Sequence, residues 1–116
     1  KMRKGQGQMI RAGWFADYAI ADNFLYPLLH SNSIGGDNLE RYNSKTFDAL
    51  INSARSSTNK SFAESQYRRA EVQALRNDVV ITQTVNRGIA AVLASSTSTF
   101  PITPLGMIVF DQIVKN

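Results

Sequence analysis

The sequence predicts an α/β fold in which one β-strand precedes three α-helices and further β-strands follow. Residues 8–15 form a short apolar and aromatic run, residues 20–76 show helical spacing and cap signals, and residues 79–114 are rich in β-branched side chains. With 116 residues, of which 43% are hydrophobic and 19% charged, the chain has the composition of one globular domain or a piece of a larger one. We expect parallel partners of these strands elsewhere in the protein.

The first predicted strand, QMIRAGWF, covers residues 8–15 and ends just before Asp17. Gly13 leaves space for another backbone to approach this strand. Because side chains alternate between the two faces of a strand, Trp14 and Phe15 point to opposite sides, and one of them faces inward. Asp17 is then a lone carboxylate at the edge of an aromatic surface. The residues alone are compatible with three roles for Asp17: it binds a ligand, caps the following helix or pairs with an arginine.

The first predicted helix lies within residues 20–29, IADNFLYPLL. Asp22 and Asn23 are N-cap candidates ahead of the apolar residues. Pro27 limits this helix to a short one, because proline is tolerated best in the first turn. Residues 31–38, SNSIGGDN, have the composition of a loop.

Two longer helices follow. The second begins after Ser44, an N-cap candidate, and ends near Arg55; the third runs from about Ser61 to Arg76, with Ser61 and Glu64 as a capping box. Side chains at helical spacing give each helix one buried face, formed by Phe47, Leu50, Ile51 and Ala54 in the second helix and by Phe62, Ala63, Gln66, Tyr67, Ala70, Ala74 and Leu75 in the third. The arginines of the third helix are expected to face the solvent.

The C-terminal third predicts strands. Residues 79–85 and 89–96 are β-branched or apolar runs separated by a turn at residues 86–88, and residues 107–114 form a last strand close to the C-terminus.

Composition argues against several function classes. The net charge is +4, but the cations are scattered and form no basic stripe, so we expect no nucleic-acid partner. The chain has no cysteine and a single histidine, His30, which is expected near the surface at a helix end; neither a metal site nor a cofactor is predicted. The adjacent pairs Ser44-Lys45 and Lys60-Ser61 lack a supporting third group, so no catalytic residue is proposed and the chain is not expected to be an enzyme.

Six segments in the same order resemble one family over nearly the whole chain. They are AGWFADY at 12–18, NFLYPLL at 23–29, RYNSKTFDALINSAR at 41–55, ESQYRRAEVQAL at 64–75, NDVVITQTV at 77–85 and MIVFDQIVKN at 107–116. In these segments the chain resembles the C-terminal portion of the extracytoplasmic solute-binding proteins of peptide ABC importers, the oligopeptide- and dipeptide-binding family.

This resemblance implies a C-terminal fragment of a two-lobed, periplasmic-binding-protein-like α/β fold that encloses its ligand between the lobes. Residues 1–85 would be the end of the second lobe, and residues 86–116 would return toward the first lobe. The signal sequence and lipid-attachment cysteine would belong to an N-terminal part outside this chain. The implied location is the periplasm or the extracytoplasmic cell surface. The implied partners are a peptide ligand and the transmembrane subunits of an ABC permease.

The resemblance also implies a ligand site. Asp17 would pair with the α-ammonium group of the peptide, and the stretch from Ala12 to Phe15 would offer backbone hydrogen bonds to it as an added strand. Gly13 would leave room for the ligand, and Trp14 would form the wall of a side-chain pocket. We expect Trp14 to face the cleft and Phe15 to face the core.

Two departures from the family leave the ligand class open. Residues 19–21 and 81–86 lack the acidic, proline-containing or aromatic residues that many relatives carry there. A nickel chelate, haem, an opine or an oligosaccharide is therefore an alternative ligand. A third possibility is a structural or dimerising domain, because the strand edges of a fragment could pair with those of another copy.

Overall fold

Three α-helices around a small apolar core form the larger part of the computed structural model, which describes residues 4, 6, 11–82, 94–103 and 105–115. The elements in chain order are α1 (Asp22–Leu29), α2 (Lys45–Ser56), α3 (Lys60–Val72), β1 (Thr97–Thr99) and β2 (Val114–Lys115). Strands β1 and β2 form an antiparallel pair, in which Thr97 lies opposite Lys115 and Thr99 opposite Val114.

Helix α1 is the short helix that the sequence predicts, but its N-terminus differs from the prediction. Ala21 is the N-cap and provides no side-chain cap. Asp22 and Asn23, the predicted caps, instead lie in the first turn and are buried. Pro27 lies inside the helix and removes the N–H that would bond to the carbonyl of Asn23. The helix ends two residues later, where His30 turns to extended backbone.

The connection between α1 and α2 is held by one buried side chain. After a 3-10 turn at Ser31–Ser33, Asn38 is 1% exposed. Its amide nitrogen donates to the carbonyls of His30 (3.1 Å) and Tyr42 (2.8 Å), and its amide oxygen accepts from the Tyr42 backbone N–H (2.9 Å). The predicted loop is therefore a loop with fixed geometry, because a buried amide with three partners is costly to displace.

The start of α2 is confirmed and the start of α3 is not. Ser44 caps α2, because its hydroxyl accepts from the backbone N–H of Phe47 at 3.4 Å. The cap of α3 is Asn59, whose side-chain oxygen accepts from the Phe62 N–H at 3.0 Å. The predicted capping box that begins at Ser61 is therefore wrong. Both residues are good N-caps, and the one two positions earlier in the chain takes the role.

Helix α3 also ends differently, since its last turn widens to a π-helix at Gln73–Asn77. Its side chains at Arg68, Arg69 and Arg76 are exposed, which confirms the expectation of a solvated face.

The core lies where α1, α2 and α3 meet. Its buried members are Leu25, Leu29, Phe47, Ile51, Ala70 and Ala74, with side chains such as Val80 and Ile81 packed against them. Ala70 on α3 and Ala74 in the π-helical turn that continues it lie four residues apart. Their small side chains let α3 and this turn approach the large residues Phe47 and Ile51 of α2 closely. Phe62 was predicted to belong to the buried face of α3 but is 43% exposed, so this face contains fewer side chains than predicted.

Most of the predicted strands are not strands in the described residues. Residues 11–15 and 79–82 carry no strand, while the remaining parts of these predictions, 8–10 and 83–85, lie outside the described residues. A strand needs a partner for its backbone groups, and these segments find none within the part of the chain that the structure describes. Val80 and Ile81 use their apolar side chains against the helices instead.

The C-terminal predictions are corrected in the same way. Residues 94–96 are not a strand, 89–93 lie outside the described residues, and the strand β1 begins only at Thr97. In the predicted strand 107–114, Phe110–Gln112 form a 3-10 turn, and only Val114 belongs to a strand. The α/β class therefore stays a prediction for the larger protein.

Replacing Phe47 tests the helical core. Its side chain is fully buried, so we expect Phe47→Ala to lower the free energy of unfolding by about 3–5 kcal/mol. The matched control is Phe62→Ala, the same change at a side chain that is 43% exposed, which should cost clearly less. Urea denaturation followed by circular dichroism measures both. Equal losses would contradict this placement of the core.

Candidate functional site

The segment predicted to bind the ligand, residues 12–17, has no regular secondary structure and lies at the surface. Ala12, Gly13, Phe15 and Asp17 are exposed, and Trp14 is half-buried. The prediction that Phe15 faces the core is wrong, because its side chain is 79% exposed. No other described atom lies within 4 Å of the position that a Cβ on Gly13 would occupy, so the space beside it is open.

Burial within the segment differs from residue to residue. Trp14 and Ala16 are half-buried, whereas Phe15 and Asp17 are exposed. Trp14 is covered because its indole bonds to the first turn of α1, and Phe15 and Asp17 stay accessible to solvent.

Asn23 in that first turn connects Trp14 and Asp17. Its side-chain oxygen accepts from the indole Nε1–H of Trp14 at 3.3 Å and from the backbone N–H of Asp17 at 2.8 Å. Its amide nitrogen donates to Oδ2 of Asp17 at 3.5 Å, the outer limit of a hydrogen bond. Asn23 is 4% exposed, so one buried amide holds both the ring and the carboxylate. Asn23 is predicted as a helix cap from its position, and no local sequence signal indicates that it bonds to Trp14 and Asp17.

The neighbouring Asp22 organises a second polar cluster. It is 7% exposed and accepts from the hydroxyl groups of Tyr18 and Tyr67, each at 3.3 Å. Nε of Arg55 lies 3.8 Å from its Oδ1. Burial raises the pKa of Tyr67, and the negative charge of Asp22 adds to that shift. Tyr18, which follows Asp17, is thus tied to α1 and serves the structure of the segment.

His30 is buried, which corrects the prediction of a surface histidine. It is 2% exposed, stacks on Tyr26 with 4.5 Å between ring centroids, and accepts through Nδ1 from the Asn32 N–H at 3.1 Å. Its Nε2 lies 3.7 Å from Oδ1 of Asp48 and makes no hydrogen bond to the residues that are described. The guanidinium of Arg55 covers the ring of Tyr26, at 3.8 Å from its centroid. His30 is therefore part of the packed interior at the C-terminal end of α1.

Tyr42 and Asp78 form a third polar contact, in which the tyrosine hydroxyl donates to the carboxylate. Burial raises the pKa of Tyr42 to about 12, and the hydrogen bond to Asp78 adds to this effect. The same bond lowers the pKa of Asp78, and Gln73 contributes through its amide at 3.0 and 3.1 Å. This contact closes the end of α3 onto the loop before α2.

The other surface features lie away from residues 12–17. Two shallow grooves run along α3 and share Arg68 and Arg69, and neither is lined by a residue of this segment. Across the described ranges, no group of three His, Cys, Asp or Glu side chains is placed to hold a metal ion. None of the helices in these ranges combines the length and apolarity that crossing a membrane requires.

One curated protein is similar to part of the chain. A stretch of 60 residues is 47% identical to "Heme-binding protein A" of Haemophilus influenzae (strain ATCC 51907 / DSM 11121 / KW20 / Rd), which is 52% of this chain and 11% of that protein. The chain thus spans a small part of this relative. No family model matches the chain, and no solved structure matches it.

This relative is named for a binding function, which is compatible with the resemblance of the chain to solute-binding proteins. The relative is named for haem, so it lends no specific support to a peptide ligand.

The pKa of Tyr42, which is raised by burial and by the contact with Asp78, predicts a loss of stability in alkali. An unfolded tyrosine titrates near 10.0, whereas Tyr42 in the folded chain titrates near 12. Between these values the unfolded state has lost its proton and the folded state has kept it, so the free energy of unfolding falls as the pH rises from about 10 to 12. Tyr42→Phe keeps the ring against Phe47 and should lose this part of the decrease. Urea midpoints measured across this range decide; parallel curves for the two proteins would contradict the contact.

Proposed function

We propose that the chain is a segment of a solute-binding protein that serves an ABC importer outside the cytoplasm, and that residues 12–17 form part of its ligand site. The sequence resemblance and the 47% identity to a haem-binding protein over 60 residues support the solute-binding role. The observation that carries the site is the exposed carboxylate of Asp17 beside Trp14, both held by Asn23. The transmembrane subunits of a permease are the proposed partners.

The proposed ligand is a peptide with a free amino terminus. A carboxylate that protrudes from an anchored backbone can pair with an ammonium group and set the position of the peptide. When a second lobe closes over the site, an ammonium left without a partner would cost several kcal/mol, roughly, so the pair would favour such ligands strongly. Asp17 is a carboxylate on an anchored backbone, because its backbone N–H donates to Asn23 and its side chain is exposed.

The backbone next to Asp17 supports the same ligand. Residues 12–16 make no backbone–backbone hydrogen bond to the other described residues. In the proposed complex, their N–H and C=O groups would bond to an extended peptide that adds itself as a strand. The exposed ring of Phe15, two residues before Asp17 in the chain, would provide apolar surface for the ligand.

The two-lobed architecture is part of the proposal. Residues 1–85 would complete one lobe, and residues 86–116 would lead into the other. The exposed fractions of Met107 (57%), Phe110 (75%) and Val114 (51%) fit a segment that the remainder of the protein covers. Within the described ranges the sheet has two strands, and such a sheet is marginal by itself, which also favours further strands from the remainder. In the isolated chain, the same surface would favour self-association.

Haem is the second candidate ligand, because the similar protein is named for binding it. A flat macrocycle could use the aromatic surface of Trp14 and Phe15. The carboxylate of Asp17 would repel the propionates of haem, however, and His30 is 2% exposed with its Nδ1 already bonded. The described residues therefore favour a ligand that carries a cationic amine.

A binding screen on the full-length protein that carries this chain tests the proposal. Short peptides with a free amino terminus, their N-acetylated forms and haem are compared by calorimetry. We expect binding of free peptides, and we expect acetylation or Asp17→Asn to weaken it at least about tenfold, because each leaves one charge of a desolvated pair without its partner.

The matched control is Asp37→Asn, which removes the same charge from an exposed position in the loop before α2. It should leave the affinity unchanged. Binding of haem without binding of any peptide would transfer the site to the second candidate. Peptide affinity that is indifferent to acetylation and to Asp17→Asn would remove Asp17 from the ligand site.

A further inference from the structure

We infer that Asn23 is the positioning residue of this site: its buried side-chain amide sets the carboxylate of Asp17 and the ring of Trp14 in a fixed mutual geometry that selects a cationic amine. The inference rests on the proposed function and adds a residue that does not itself touch the ligand.

The segment before α1 has few other means of holding its shape. Residues 11–16 carry neither helix nor strand, and no backbone–backbone hydrogen bond joins residues 12–16 to the rest of the described chain. The three contacts of Asn23 bridge six and nine positions in the sequence. A flexible segment would have to be ordered by the ligand, at a cost to affinity, so contacts that order it beforehand favour binding.

The chemistry of an amide matches the two groups that it holds. Its oxygen has two lone pairs, which accept from the indole N–H at 3.3 Å and the Asp17 N–H at 2.8 Å. Its nitrogen has two donor hydrogens, one of which faces the carboxylate at 3.5 Å. The contact to the carboxylate is long and therefore weak, so Asn23 orients the carboxylate and does not neutralise its charge. A cation in front of Asp17 would meet a carboxylate whose backbone is fixed and whose charge is still available.

Burial makes this arrangement rigid. Asn23 is 4% exposed and lies in the first turn of α1, with Leu25 of the core two residues further along the helix. Asp22 on the same turn is fixed by Tyr18, Tyr67 and Arg55. The amide is therefore part of a packed turn, so its position follows from the helices and not from the segment that it holds.

Asn23→Leu tests the inference, since it keeps the branched shape of the side chain and removes all three contacts. The probes are trialanine and N-acetyltrialanine, titrated into the full-length protein. In the wild type we expect at least a tenfold preference for the free amine. In Asn23→Leu this preference should fall to about threefold or less, mainly through weaker binding of trialanine. Asn23→Ser, a milder change whose hydroxyl can replace one contact, should give an intermediate preference.

Asn38→Leu is the matched control. Asn38 is buried to 1% exposure, makes three hydrogen bonds and contacts neither Trp14 nor Asp17. It belongs to the loop beyond the other end of α1, a helix of 8 residues and so about 12 Å long. Both leucine variants should lower the melting temperature, but only the change at Asn23 should alter the preference for the free amine.

Trp14 provides a readout that does not depend on a ligand. It is the only tryptophan of this chain, and subtracting the signal of Trp14→Phe isolates it in the full-length protein. Loss of the indole hydrogen bond in Asn23→Leu should make Trp14 more accessible to quenching by acrylamide, whereas Asn38→Leu should leave the quenching unchanged.

The outcomes separate this inference from the function on which it rests. A wild type that prefers trialanine, with the same preference in Asn23→Leu, overturns the positioning role and leaves the ligand site in place. An equal loss of preference in Asn38→Leu also overturns it, because the effect would then be general destabilisation. A wild type that binds neither probe, or both equally, overturns the proposed peptide site and the role of Asn23 together.

Discussion

The burial of two adjacent polar side chains in the first turn of α1 is the constraint on which the candidate site depends. Asp22 and Asn23 are 7% and 4% exposed, and an unsatisfied buried polar group costs about 1–3 kcal/mol. Other residues must therefore supply hydrogen-bond partners for them. Asp22 accepts from one tyrosine that precedes it and one that follows it in the sequence, and Asn23 bonds to Trp14 and the backbone of Asp17. The shape of the segment before α1 follows from these requirements.

The helical core carries this constraint to the rest of the chain. Small side chains at Ala70 and Ala74 allow α3 to lie close to α2, and this approach fixes the direction of the third helix. Tyr67 on α3 then reaches Asp22, so the packing of α3 and the position of the candidate site are connected through one hydroxyl. A change in the core that moves α3 would disturb the hydrogen bond to Asp22 directly and would affect Asp17 only indirectly.

Sequence patterns predict correctly the features that depend on neighbouring residues. They fail where the bonding partner of a residue lies far away in the sequence. The spacing of apolar residues and the cap at Ser44 give α2 correctly, because both act within one helix. The strand predicted at residues 8–15 needs partners that local sequence does not contain. Asn23 was predicted as a cap because asparagine favours caps, but its side chain bonds to residues six and nine positions away. Phe15 was expected in the core and is exposed instead, because the contact with α1 covers Trp14 and not its neighbour.

The exposure of Phe15 bears on the proposed function. A fully exposed phenylalanine forgoes the roughly 1.5–3 kcal/mol that burial of its ring would contribute. Phe15 is 79% exposed, and Asp17, two residues further along the chain, is exposed as well, while Trp14 is half-buried and bonded to Asn23. A ligand or a second lobe that covered both exposed residues would recover that free energy for the ring and at the same time remove water from the carboxylate. Desolvation strengthens the attraction between Asp17 and a cation only when the cation is present, and disfavours closure when it is absent. Under the proposed function, closure over Phe15 would therefore make the site selective for a ligand with a positive charge at Asp17.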